Sequence, residues 1–335
     1  VVARAAAVSA IVLGTACHQV TEYGSVDNSG LIVLEIADME PVAEIEGFEG
    51  GRSLCSLGLG QPGFMIACNT GRIFVLDTEG FAIDFSRVVG SPFSQGYDDM
   101  TVTPTGEIYL IGAFGQLLRL SSQGIVTAQF PVGPSPGSLS PSLTGAARLY
   151  VCDDQDLVLR EVSTATHEIV RELQLPAPVA AIYPVRNDST AWQVAVSAID
   201  GRIFMVDAGG YLAYRELSTS FGVCTDAAAM QDTAVCCIAS PGYGTGQGGV
   251  TIIRGLRPME TTLTEIPLEG RPSCVAASPQ NHLFYVASVT EAGYTAIHSV
   301  DALTGQVSFI AEIQARARNL LLVDNEQYLA VLTAL

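Results

Sequence analysis

The chain contains no lysine: all 16 of its basic residues are arginine, set against 34 acidic residues, for a formal charge of −18 over 335 residues. Without Lys/Arg clusters there is no source of counterion release on a phosphate backbone, which argues against DNA or RNA as a partner. The same field repels anionic lipid surfaces, so contact with a membrane would have to come through an anchor. Charged residues make up only 15% of the chain, too few for charge-laced helices, while 33 Gly and 16 Pro point to many short strands and tight turns. At 48% hydrophobic the chain is neither a disordered tail nor a small stapled domain.

Catalytic signatures are also missing. There is no G-x-S-x-G, H-E-x-x-H or P-loop string, so no hydrolase nucleophile and no cofactor can be nominated. Gly244 to Gly249 reads G-x-G-x-x-G, but a strand-like VTIIRGL follows where a dinucleotide site needs a helix, and the segment reads as a loop between strands. His18, His167, His282 and His298 lack ligand spacing, and no metal site is expected from them. Asp153, Asp154 and Asp156 could collect calcium, but the Gly and distal Glu of a calcium loop are absent and a solvated acidic turn is expected instead.

Residues 1–17 have one positive charge at Arg4, an apolar stretch from Ala5 to Leu13, then small residues before Cys17. That is the tripartite pattern of a secretory signal, too short to span a bilayer. Leu13-Gly-Thr-Ala-Cys17 resembles a bacterial lipobox, with Gly14 where the pattern prefers Leu; the resemblance implies a lipidated Cys17, and His18 after it resembles lipoproteins sent to an outer membrane. The alternative is an ordinary signal peptide and a periplasmic protein. Residues 18–30 read as a flexible tether.

Self-similarity dominates residues 31–335. GFMIACNTGRIFVLDTEGFAIDF (63–85), GEIYLIGAFGQLLRLSSQGIVTAQF (106–130) and WQVAVSAIDGRIFMVDAGGYLAYREL (192–217) repeat one four-strand unit. Its starts at Arg52, Asp98, Gly137, Val179, Val223, Arg271 and Arg316 lie 39 to 48 residues apart, the period of a β-propeller blade. The unit at Arg316 has only two strands before the chain stops, and 31–47 supplies two strands of the third and fourth type with nothing before them. The expectation is an all-β, seven-bladed propeller of four-stranded antiparallel blades, the last closed by strands from both termini, which removes exposed sheet edges.

LYVCDDQDLVLREVSTATHEIV (149–170), LFYVASVTEAGYTAIHSVDALTGQVSFI (283–310) and the Gly-Pro and Ser-Pro positions of GRPSCVAASPQNHLFYVA (270–287) resemble the YVTN-repeat family. The resemblance implies an exported seven-bladed propeller related to periplasmic and surface-layer proteins, and it implies no particular ligand.

An oxidising compartment permits disulfides. If a turn at Gln61-Pro62 makes a hairpin, Cys55 faces Cys68; similarly, Cys224 approaches Cys237 about Met230-Gln231. Cys152 and Cys274 read as packing residues. In a propeller the positions leading into the innermost strands converge on the channel mouth. Arg52, Arg271, Arg316 and Arg318 belong to blades one, six and seven, which are neighbours in the ring; Tyr97, Asp98 and Asp99 open blade two, and Asp226 lies near the opening of blade five. Arginine forks suit carboxylate or phosphate groups, so these residues form a candidate anion site, with a rim of internal ion pairs as the alternative. The sequence therefore reads best as an exported, lipid-anchored, non-catalytic scaffold for an unknown protein or small anionic ligand. The alternatives are a lactonase- or lyase-like propeller enzyme and a structural component of the cell envelope.

Overall fold

The computed structural model describes residues 28–334, apart from 58–62, 69, 89–98, 113–114, 143–146, 188–189, 198, 208–213, 231–233, 245, 256–260 and 324. Cys17, Tyr97 and Asp98 lie outside the described residues.

Seven four-stranded antiparallel sheets stand in a ring. Blade one consists of Gly51–Ser56, Phe64–Cys68, Arg72–Leu76 and Ile83–Val88, in order from the centre outward. The innermost strands of blades two to seven are Met100–Val102, Pro136–Pro141, Val179–Asn187, Asp226–Met230, Arg271–Ser278 and Arg316–Val323. Each packs against the innermost strand of the next blade, and blade seven packs against blade one. Blade seven takes Arg316–Val323 and Tyr328–Ala334 from one end of the sequence and Asn28–Glu35 and Pro41–Glu49 from the other. The joining strand starts at Asn28, inside the segment that reads as tether.

Position in the blade explains strand composition. A middle strand is sandwiched between two neighbouring blades and reads as a continuous apolar run, as in the fully buried Phe64–Cys68. An outermost strand has one wet face and alternates, as Glu168–Gln174 does. Among the described residues the core divides into seven clusters, one at each joint between consecutive blades. The cluster that closes the ring joins Leu31, Phe48 and Leu332 of blade seven to Phe64 and Phe74 of blade one, with Phe48 edge-on to Phe74 at 4.9 Å between ring centres.

These joints overturn both disulfide pairings. Ser56 pairs with Phe64 and Cys55 with Met65, while Cys68 faces Gly51, so the hairpin is offset from the register that a Gln61-Pro62 turn would impose. Cys55 consequently packs toward blade two and Cys68 toward blade seven, on opposite faces of one sheet. Cys224 shares the joint with blade four, whereas Cys237 points into the joint with blade six. All seven described cysteines are buried thiols outside any disulfide.

The acidic turn of blade three is solvated at Asp156, which is exposed, but not at Asp153. Asp153 is 2% exposed; its Oδ1 accepts the N–H groups of Gln155 and Asp156, and its Oδ2 lies 3.1 Å from Arg160, which also pairs with Asp156 at 2.6 Å. The arginine supplies the positive charge that the calcium reading would have required.

Candidate functional site: the channel mouth

The innermost strands of all seven blades enclose a central cavity of about 1670 Å³. In blades one, three, four, six and seven the innermost strand carries a register shift near its start, which leaves one residue without a ladder partner: Arg52, Gly137, Ala180, Ser273 and Arg318. A bulge at a rim frees a residue from the ladder and re-aims its side chain. Here it places Arg52 and Arg318, from adjacent blades, on the cavity wall.

Arg271 and Arg316, each the first residue of its strand, are exposed and line the same cavity. Arg318 crosses the joint between blades seven and one, donating from Nη1 to the Gly51 carbonyl at 3.3 Å and to Ser29 Oγ at 3.5 Å. Arg271 stacks its guanidinium over the ring of Tyr243, another residue of the cavity wall, 5.4 Å from its centre, a cation–π contact. Gly249, the last glycine of the G-x-G-x-x-G string, opens the blade-five strand Gly249–Arg254, where a dinucleotide site needs a helix.

The carboxylates of blades two and five use one repeated design. Asp99 Oδ1 accepts the N–H of Met100 at 2.7 Å and the Ser53 hydroxyl of blade one at 3.3 Å, and its Oδ2 accepts the Leu139 N–H of blade three at 2.8 Å. Asp226 Oδ1 accepts the Ala227 N–H at 2.8 Å and the Tyr183 hydroxyl of blade four at 3.3 Å, and its Oδ2 accepts the Val275 N–H of blade six at 2.9 Å. Each aspartate therefore ties its own blade to both neighbours. Burial raises the Asp226 carboxyl to about 7 despite these donors, and the charge of Asp99 adds to the rise. Burial, with the charges of Asp226 and Asp99, pushes the Tyr183 phenol well up. Burial likewise pushes the Cys55 and Cys274 thiols up, so neither is a thiolate nucleophile at neutral pH.

Sequence reasoning missed Tyr183, whose hydroxyl reaches a neighbouring blade, and Tyr243, whose ring lies beneath the Arg271 guanidinium. It also missed Glu269, Glu291 and Glu312, which line the same cavity as the arginines. Among the described residues no group of three or more His, Cys, Asp or Glu side chains could hold a metal ion.

No protein-family model matches the chain, and comparison with curated proteins gives no match. Solved structures do match. The RRP9 WD40 repeats superpose with a TM-score of 0.68 at 11% identity, covering 85% of this chain and 94% of that one. The U3-55K structure gives 0.68 at 12%, covering 90% and 99%. The Neurospora crassa Pan2 WD40 domain gives 0.66 at 12%, covering 85% and 89%. At these identities the likeness establishes the fold alone: the chain is a seven-bladed β-propeller.

Proposed function

We propose that this propeller is a non-catalytic binding scaffold, exported and held at the cell envelope by lipid on Cys17, whose channel mouth takes an anionic group of a ligand or partner. One observation carries the mouth reading: in a chain of net charge −18, arginines from three consecutive blades line one opening. The export reading rests on the segment before Cys17 and on the YVTN-like blades. The catalytic alternative would rest on Asp226, a carboxyl raised to about 7 inside the channel. Its bonds to Ala227, Val275 and Tyr183 are matched at Asp99 by bonds to Met100, Leu139 and Ser53, which favours a tie between blades over an acid-base group.

The mouth is tested by titrating the protein with succinate and with inorganic phosphate. Hydrogen bonds to charged groups are worth about 1.5–3 kcal/mol, so Arg271→Ala and Arg316→Ala should each weaken binding roughly tenfold or more while leaving the melting temperature nearly unchanged. Failure of the unsubstituted protein to bind either anion, or variants of unaltered affinity, would overturn it. Anchoring is tested separately in a bacterial host, where Cys17→Ser should move the protein from the membrane fraction to the soluble one. An unmodified Cys17 in the mature protein, read by mass spectrometry, would disprove lipidation.

A further inference from the structure

We infer that the ligand of this mouth is an acidic saccharide: a uronate-type sugar whose carboxylate meets Arg271, whose hydroxyls reach Glu269, Glu291 and Glu312, and whose C–H face covers Tyr243. The inference rests on the anion-site reading and names the class of molecule that carries the anion.

One row of the blade-six sheet sets the geometry. Arg271 pairs with Val289, Val289 with Thr295 and Thr295 with Ile313, so these four residues stand level across the blade. Glu269 lies two residues before Arg271, Glu291 two after Val289, and Glu312 immediately before Ile313, which brings three carboxylates and one guanidinium to the same end of one blade. All four side chains belong to exposed residues of the cavity wall. Tyr243 of blade five joins them through its contact with Arg271, and the tyrosine is 42% exposed. Gly244 and Gly246, in the same loop, have φ of +85° and nothing within 4 Å of where a side chain would begin, so the approach to the ring is open.

The hydrogen-bonding inventory then selects the ligand. Among the described residues, the side chains of Arg271, Glu269, Glu291 and Glu312 form no hydrogen bond and no ion pair, and Arg271 holds only the Tyr243 ring. The guanidinium offers five N–H donors, while each carboxylate offers about four acceptor sites and no donor. A dicarboxylate or phosphate meets the guanidinium but brings further negative charge against three carboxylates. A ligand that satisfies both sets carries hydrogen-bond donors close to its anionic group. A pyranuronate does this within one ring: a carboxylate, hydroxyls that donate as well as accept, and a face of C–H groups that packs on an aromatic ring. An acidic peptide spreads its N–H donors along a flexible chain and must lose more conformational freedom to present them together. The cavity of about 1670 Å³ exceeds the ~300–1,000 Å³ of sites for drug-sized ligands, which suits more than one sugar residue.

The test titrates the protein with trigalacturonate, with triglutamate as the peptide of equal charge, and with maltotriose as the neutral sugar of equal length. Trigalacturonate should bind roughly tenfold or more tightly than either. The variant carrying Glu269→Gln, Glu291→Gln and Glu312→Gln separates recognition from charge. It should bind trigalacturonate roughly tenfold more weakly, because charged acceptors of its hydroxyls are lost, and triglutamate no more weakly than before, because repulsion is relieved. Its melting temperature should hardly change, since the three carboxylates are exposed and unpaired. Tyr243→Ala should cost trigalacturonate about fivefold. Triglutamate or maltotriose binding as tightly as trigalacturonate, an equal gain for both anions in the triple variant, or an unchanged affinity in Tyr243→Ala would each overturn the saccharide reading. Succinate and phosphate keep the two readings apart: if they bind while trigalacturonate shows no preference, the anion site stands without the sugar, and if they fail as well, both readings fall together.

Discussion

A chain lacking residues 28–49 should fail to accumulate as a soluble monomer. Those residues are the outer half of blade seven, and Ser29 to Glu35 pair without interruption with Ala334 to Tyr328. Their removal would leave Tyr328–Ala334 as an open edge with unpaired N–H and C=O groups, a template for pairing with other chains. It would also take Leu31, Val33 and Phe48, all fully buried, from the joint with blade one and uncover Phe64 and Phe74. At about 1.5–3 kcal/mol for each fully buried apolar side chain, these three account for roughly 5–9 kcal/mol, within the range of a whole domain's stability of about 5–15 kcal/mol. Size-exclusion chromatography and thermal melting check this. A truncated protein that stays monomeric with an unchanged melting curve would show that the blade shared between the two ends does not hold the ring.

That closure was legible in the sequence because it needs only the type and number of strands. The segment 31–47 alternates as outer strands do, and the segment after Arg316 has the first two strands alone, so the halves complete each other. The arginine crescent was legible for a similar reason, since equivalent positions in a repeat converge on the axis. Cysteine pairing was not legible. It depends on register to a single residue, and the offset hairpin sends Cys55 and Cys68 to opposite faces of blade one. The aspartate ties were hidden for another reason: their acceptors are side chains, but their donors include the backbone N–H groups of Leu139 and Val275, which any residue except proline supplies. The acidic turn at Asp153 misled because its partner, Arg160, lies on the following strand, where nothing in the local pattern distinguishes a pairing arginine from a solvated one.

Raising the pH from 5 to 8 should cost stability through Asp226. An unfolded aspartate ionises near 3.9, whereas in the folded channel Asp226 holds its proton up to about 7 because burial disfavours its charge. Between those values the unfolded chain has lost a proton that the native state keeps. The contribution of this group is therefore fully present below about 4 and is lost as the pH rises toward 7. The whole separation corresponds to about 4 kcal/mol, of which about 3 kcal/mol at most is lost between pH 5 and 8, and water in the open channel reduces this to an expected ~1–3 kcal/mol. His298 acts in the opposite sense. Burial lowers its pKa below the usual histidine value, so its contribution is lost as the pH falls below about 6.5. The effect of Asp226 is isolated by subtracting the melting curve of Asp226→Asn, which keeps His298 and cannot ionise at this position. At pH 5 the unsubstituted protein carries a neutral carboxyl and should be the more stable of the two, because an amide supplies one acceptor oxygen where Asp226 uses two, for Ala227 and Val275. By pH 8 the gap should close by several degrees or reverse, at about 2 °C per kcal/mol for a chain of this size. Curves that run parallel from pH 5 to pH 8 would show that Asp226 is ionised throughout, and that the channel is wet enough at this level to solvate a carboxylate as bulk water does.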